Sequence, residues 1–269
     1  MSADALRRPG SPRIVELLGL PGSGKSTIAE AVLDGPAPRP LRPSHVAGRP
    51  RLPIARGPDR RLRGLVEALP GRAGRALRAL LWADRAPDAL SELSRTHPEF
   101  LELVAHAPPP SDADAEHVLR WRSWPLATLE AHVLLRRAEA PGEAVLVEEG
   151  VIMRANTVCA GDETLAARYF ATQPLPDLVV VLDIAPEEAL RRVRSRPKRT
   201  LLRHEGRSDA EVLRDLERSA RLVTTAVPAL RGRGVPVHVL DASEPVATLQ
   251  RRVLDAITAP GAPEAPHGA

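Results

Sequence analysis

The apolar positions of this chain fall into two rhythms. Residues 13–18, 144–147, 178–182 and 235–240 are short, aliphatic, β-branched runs. Runs of this length predict strands buried on both faces, as in a parallel sheet. Between them, apolar residues recur at helical spacing. That spacing predicts helices over 25–33, with Ile28, Ala29, Val32 and Leu33 inward, over 162–171, from Pro186 onward, and over 208–230 and 244–257. Pro186 followed by Glu187 and Glu188 suits a helix start, where the missing N–H costs nothing and acids face the positive end of the dipole. Ser208 is a candidate N-cap. Strands separated by helices give an α/β chain of three layers, a central parallel sheet covered on both faces.

The other segments carry weaker patterns. Residues 35–58 are rich in Pro and Arg and read as extended loop, with a short strand near His45 and Val46. Residues 60–106 alternate apolar and basic positions at helical spacing, broken at Pro70-Gly71, Pro87 and Pro98; 108–110 is a stop. Residues 112–138 resume as one long helix or two, with Pro125 as kink or break. The expected organisation is a leader over 1–12, one domain over 13–258 with a helical insertion at 60–138, and a disordered Ala/Pro/Gly tail at 259–269.

Composition narrows the function. Aromatics are 2% of the chain, so the core is aliphatic. One cysteine, Cys159, excludes an internal disulfide and fits a reducing cytoplasm. No stretch approaches the roughly 18 apolar residues of a membrane span, and the first residues lack the apolar core of a signal peptide. The chain is therefore expected in the cytoplasm, without a membrane partner. A net charge of +4 arises from 38 basic and 34 acidic residues with no groove-binding motif, so nucleic acid is not expected as a partner. No Cys/His spacing suggests zinc, and His97 and His106 read as surface or packing residues.

Among the 38 Lys and Arg residues only Lys25 and Lys198 are lysine. Lys25 stands in Gly19-Leu-Pro21-Gly22-Ser23-Gly24-Lys25-Ser26-Thr27, between a predicted strand and a predicted helix. That context is the one a phosphate-binding P-loop requires. Glycines let backbone N–H groups wrap phosphates, and the helix N-terminus favours anions. A compact ammonium slips between β- and γ-phosphates where a planar guanidinium fits badly. The Ser26 hydroxyl is placed for Mg²⁺, with Thr27 behind it. The expected ligands are ATP and Mg²⁺. The loop alone does not name the reaction, but Asn-Lys-x-Asp and Leu-Ser-Gly-Gly-Gln are both missing from the sequence, which disfavours a GTPase or a transporter ATPase.

Two further clusters bear on phosphoryl transfer. The second strand ends in Glu148-Glu149-Gly150, and ligands of open α/β sheets sit beyond the carboxyl ends of strands. One of these carboxylates is expected to meet Mg²⁺ through water, Glu148 being a candidate ligand, but which of Glu148 and Glu149 takes which role is left open. The other role is to accept the proton of an attacking hydroxyl. Gly150 suits a tight turn or close approach, and Arg154 is either an acceptor contact or a surface arginine. Arg191, Arg192, Arg194, Arg196, Lys198, Arg199, Arg203 and Arg207 crowd one stretch, read as a lid over about 191–207. Arg196 and Arg199, beyond the helix end, are the candidates for contact with the transferring phosphoryl group. Arg192 stands equally well to pair with Glu188 one turn earlier.

Four segments in order resemble the P-loop nucleoside and nucleotide kinases, most of all the thymidylate-kinase-like branch. They are the loop at 19–27, the acidic strand at 145–149, the segment 182–196 (Leu-Asp-Ile-Ala-Pro-Glu-Glu-Ala-Leu-Arg-Arg-Val-Arg-Ser-Arg) and the terminal Val239-Leu-Asp-Ala-Ser243. The resemblance implies an ATP-dependent kinase, with Asp241, Ala242 and Ser243 near the adenine and Arg191 or Arg194 joining the lid. It covers about half the chain. The branch carries Asp-Arg-Tyr where this chain has Glu148-Glu149-Gly150, so the acceptor site is divergent. The expected partner is a small-molecule or nucleotide acceptor. Arg120-Trp121-Arg122-Ser123-Trp124 in the insertion offers ring faces and cations to such an acceptor, or else Trp121 and Trp124 are core. Rival functions are a P-loop ATPase or switch with a protein partner and a sulfotransferase-like enzyme; the Lys25-Ser26 pair speaks against the second. Oligomeric state is left open, a homodimer included.

Overall fold

The computed structural model describes residues 6–35, 40, 86–109, 115–138, 140–195, 204 and 206–259. The suggested strand at His45 and Val46, the first part of the insertion (60–85), and Arg196, Lys198, Arg199 and Arg203 lie outside the described residues. Four strands are seen: β1 Arg13–Gly19, β2 Ala144–Val147, β3 Leu178–Asp183 and β4 Val237–Asp241. They form one sheet in the order β2-β1-β3-β4, and every neighbouring pair is parallel. On one side of β1, Arg13 pairs with Ala144 and Glu16 with Val147; on the other, Val15 pairs with Leu178 and Gly19 with Leu182. β2 therefore stops short of the end of β1. The chain after it, 148–150, leaves the sheet beside the start of the glycine loop.

Alternate residues of β1 face two separate cores. Val15 and Leu17 join Val180 and Leu182 of β3. They pack under α1 (Lys25–Asp34) through Ile28, Ala29 and Val32, and under a C-terminal helix, Val246–Thr258, through Leu249 and Val253. On the opposite face Leu18, Val179 and Val181 meet a layer built from several helices. These include α2 Ala86–Thr96, α3 Pro98–His106, α4 Ala115–Arg137 and, after a 3-10 turn at Ile152–Arg154, the short α5 Ala155–Val158. α6 Glu163–Thr172 and α8 Asp209–Gly232 complete it, while α7 Pro186–Arg194 lies between β3 and α8 in sequence. The C-terminal helix is α9. Helices on both faces of a parallel sheet match the three layers expected. Within the inner layer Phe100 and Tyr169 meet edge to face at 4.9 Å. None of the described helices is long and apolar enough to cross a membrane.

Residues 112–138 gave one helix or two; the structure has one, α4, with Pro125 inside it. Burial of Trp121, Leu129 and Val133 against the core outweighs the hydrogen bond that proline forfeits. The Trp121 indole N–H also donates to Thr157 O at 2.7 Å. At the other end of α4 the buried Arg136 donates to Asp177 and to Leu175 O, each at 2.5 Å, and Asp177 accepts the Ile14 N–H at 2.7 Å. That bond network pins α4 to the start of β1.

Two boundaries move for local reasons. The last strand begins at Val237, not Val235, because the Val235 N–H donates to Leu230 O and the Gly234 N–H to Arg231 O. With Gly234 at φ +81°, this is a left-handed helix stop that consumes the residues read as strand. The last helix begins at Val246, not Glu244. The Asp241 side chain accepts the Ser243 N–H and the Glu244 N–H bonds Asp241 O, a turn that precedes the helix.

Candidate active site

The glycine loop follows β1 and opens α1, as its sequence requires. Gly22 (φ +94°) and Gly24 (φ +91°) hold the left-handed conformations that bend it. A Cβ on Gly22 would stand 2.6 Å from Ala189 O, so the loop lies directly on α7. A Cβ on Gly24 would meet nothing within 4 Å, which leaves that stretch of backbone open on its outer side. The Lys25 ammonium donates to Gly19 O at 2.7 Å and to Leu20 O at 3.0 Å, folding back over the loop. Ser23 is buried, and its hydroxyl has no hydrogen-bond partner among the described residues. Ser26 and Thr27 are exposed on the first turn of α1, and Pro21 is half-buried at the loop's start.

These features fit a polyphosphate and its metal. The loop presents backbone donors, one ammonium and a helix N-terminus to an anion. Ser26 supplies a hydroxyl beside it. No group of three His, Cys, Asp or Glu side chains suited to a metal occurs among the described residues.

The acidic strand end opens on a cavity of about 540 Å³. Its walls come from β1, the residues after β2, and α4: Ile14 and Glu16, Leu146 to Val151, Arg154, and Trp124, Ala127, Thr128, Ala131, His132 and Leu135. Leu33 of α1 closes one side. Both Glu148 and Glu149 line it, so the two acids read from sequence do share a cavity. They differ in company. Glu149 pairs with Arg154 at 3.0 Å, and the Arg154 Nε donates to Thr128 Oγ1 at 2.8 Å. Arg154 is thus a wall of the cavity held between α4 and the acidic turn, with only 18% of its side chain exposed. The two tryptophans also separate: Trp121 is core, whereas Trp124 is 48% exposed and lines the cavity.

The structure adds a carboxylate that the sequence reading left out. Glu16 sits in the middle of β1, 1% exposed, on the face shared with Ile14 and Leu18. Its two oxygens accept the N–H groups of Val151 and Ile152, each at 3.0 Å. A Cβ on Gly150 would lie 2.1 Å from the Glu16 carboxyl carbon, so only glycine lets the turn close over this side chain. Burial pushes the Glu16 pKa up to about 7, against the pull of the two backbone donors and of Arg136 and Arg154. The available signal was an acid inside a strand buried on both faces, followed at a distance by a glycine after the second strand.

The arginine segment is partly visible. Glu188 pairs with both Arg191 and Arg192, and their hydrogen bonds hold its carboxyl down at about 2. Arg192 also donates to Ala242 O at 3.0 Å, tying α7 to the turn after β4. Arg194 pairs with Asp209 at 2.7 Å and donates to Arg207 O. Arg191 and Arg194 are thus engaged in local ion pairs on the exposed side of α7. The Asp241–Ser243 turn adjoins the end of β3, where the Ala242 N–H donates to Asp183 O at 2.8 Å. Its carboxylate is held below the usual range by Ser243. The turn lies at the same carboxyl edge of the sheet as the glycine loop.

No family model and no curated protein matches the chain. Among solved structures, a deoxyadenosine kinase from M. mycoides, determined with bound dATP, matches over 91% of this chain and 98% of its own length, at 12% identity and a TM-score of 0.34. A likeness at that distance leaves the functional reading to the chain's own geometry.

Proposed function

We propose that the chain is an ATP-dependent phosphotransferase that moves the γ-phosphoryl group of ATP to a small acceptor held in the cavity beside β2. One juxtaposition supports this reading: the glycine loop follows β1, and the acids that follow its parallel neighbour β2 line a cavity of about 540 Å³. Loop backbone N–H groups and Lys25 bind and neutralise the phosphates, and Ser26 holds Mg²⁺. A Mg²⁺ ion held there would supply charge neutralisation to the phosphates. Because Glu149 is engaged by Arg154, the proton role falls to Glu148 rather than the metal role: it orients the acceptor hydroxyl and takes its proton as the oxygen bonds to phosphorus, and ADP leaves with the electron pair of the broken P–O bond. Glu149 and Arg154 fix the wall against which the acceptor rests.

Lys25→Ala tests the donor half. Turnover, read as ADP release with mass detection of the phosphorylated product across a panel of acceptors, is expected to fall by at least about 10²-fold, as for loss of a preorganised charge. Thermal stability should change little. Wild-type turnover by this variant would refute the assignment.

A further inference from the structure

Glu148, to which the proposed function gives the proton role, sits on a turn and not on a strand. β2 ends at Val147, and Glu16 opposite Val147 is the last pair of its ladder with β1. Past that pair the ladder no longer holds the chain, and the side chain of the same residue takes over. Both Glu16 oxygens accept backbone N–H groups on the far side of the turn, from Val151 and from Ile152, each at 3.0 Å. One residue of β1 thus grips the turn at both ends: its backbone lies opposite Val147 and its carboxylate catches Val151. Glu16 also stands three positions before Gly19, where the glycine loop begins. The spacing between the loop and the acidic turn is therefore set through one short stretch of a strand paired on both sides. A second pin arrives from α6, where the buried Tyr169 hydroxyl donates to Val151 O at 2.6 Å. Val151 is held by its N–H and by its carbonyl from two different elements. Two charge-assisted bonds on one buried carboxylate fix direction as well as distance.

Resting on the proposed function, we infer that Glu16 is a positioning residue for phosphoryl transfer: by closing the 148–150 turn onto β1, it holds the Glu148 carboxylate at a fixed distance from the glycine loop. Glu16 works through backbone geometry and takes no proton from the acceptor. Transfer needs the proton-accepting oxygen within reach of a hydroxyl aimed at the γ-phosphorus, and a displacement of about 1 Å costs on the order of 10²-fold in rate.

Glu16→Gln in the full chain keeps one oxygen and turns an NH₂ toward a backbone N–H, so one of the two bonds opens while the shape stays. Amide hydrogen exchange reads the grip directly: at Val151 or Ile152 it should be at least about ten times faster in the variant than in wild type. ADP release from ATP·Mg²⁺ reads the consequence, with water as the attacking group and again with any panel acceptor that the wild-type chain phosphorylates. The kcat should fall on the order of 10- to 100-fold while the KM for ATP stays the same. A double-mutant cycle supplies the readout that a merely structural role would not move. Added to Glu148→Gln, Glu16→Gln should cost less than about twofold more, because the group it positions is already gone. Tyr169→Phe releases the same turn from the other side and keeps the test open should Glu16→Gln fold poorly. It should speed exchange at Val151 and lower kcat in the same pattern, again with little further loss beside Glu148→Gln. Faster exchange with wild-type kcat, in either variant, would overturn the inference. So would unchanged exchange, a raised KM for ATP at unchanged kcat, or losses that multiply in full in the double variant; each leaves the Lys25 reading standing. A wild-type chain that binds ATP·Mg²⁺ but transfers to neither water nor any panel member would instead sink the proposed function.

Discussion

Replacing Glu16 by glutamine should change how stability depends on pH. In the folded chain burial raises the Glu16 pKa from 4.5 to about 7. The folded state therefore holds a proton that the unfolded chain has already released between those values. Stability from this group is fully present below about pH 4.5 and is lost as pH rises toward 7, after which both states are ionised and the loss levels off. Between pH 5 and pH 8 the two pKa values give a loss of about 2.5 kcal/mol. Glu16→Gln keeps the shape but cannot ionise. One of its ends is an NH₂ facing a backbone N–H, so it should be less stable than wild type near pH 5. Its stability should then fall less on going to pH 8. Urea unfolding at pH 5, 6, 7 and 8, for both proteins, reads the two slopes. Parallel slopes would mean that Glu16 ionises normally, and the account of a buried carboxylate under the Gly150 turn would fail.

Other outcomes follow from the same contacts. Gly150→Ala drives a methyl group into the Glu16 carboxyl and should cost about 2–3 kcal/mol in urea unfolding, with less loss in a Glu16→Ala background where the space is free. Gly22→Ala combines a left-handed backbone with a 2.6 Å approach to Ala189 O; about 2 kcal/mol of stability and weaker ATP binding by calorimetry are expected together. Arg136→Met leaves Asp177 without its buried partner and should cost about 3–5 kcal/mol, visible as a fall in the thermal midpoint.

Legibility in the sequence followed the kind of signal. β1, β2 and β3 could be read because an aliphatic run buried on both faces leaves few alternatives. The loop's place between β1 and α1 could be read because its glycines fall between an aliphatic run and a helical spacing. Ser208 was visible as a cap, and the structure gives it a full capping box with Glu211. What escaped depends on pairs far apart in the chain. Glu16 and Gly150 are 134 positions apart, and neither is conspicuous until the β1–β2 register brings the turn over the strand. Trp121 and Trp124 have the same spacing whichever one faces the core, so only packing against Thr157 decides. The Val235 boundary was lost to a helix stop whose last hydrogen bond reaches into an apolar run. The acids after β2 could be placed at the strand's carboxyl end from the sequence alone, but not the fact that one of them is matched to Arg154.

The attachment of α4 has a consequence for how this chain can diverge. The glycine loop and the buried carboxylate both depend on β1, a rail zipped on both sides, so neither shifts without unzipping backbone pairs. One wall of the cavity hangs on a helix, tethered by Trp121 at one end and Arg136 at the other. Between those tethers Trp124, Ala127, Thr128 and Ala131 can be exchanged as side chains alone. The cavity's lining can thus drift while the strand beneath it stays still.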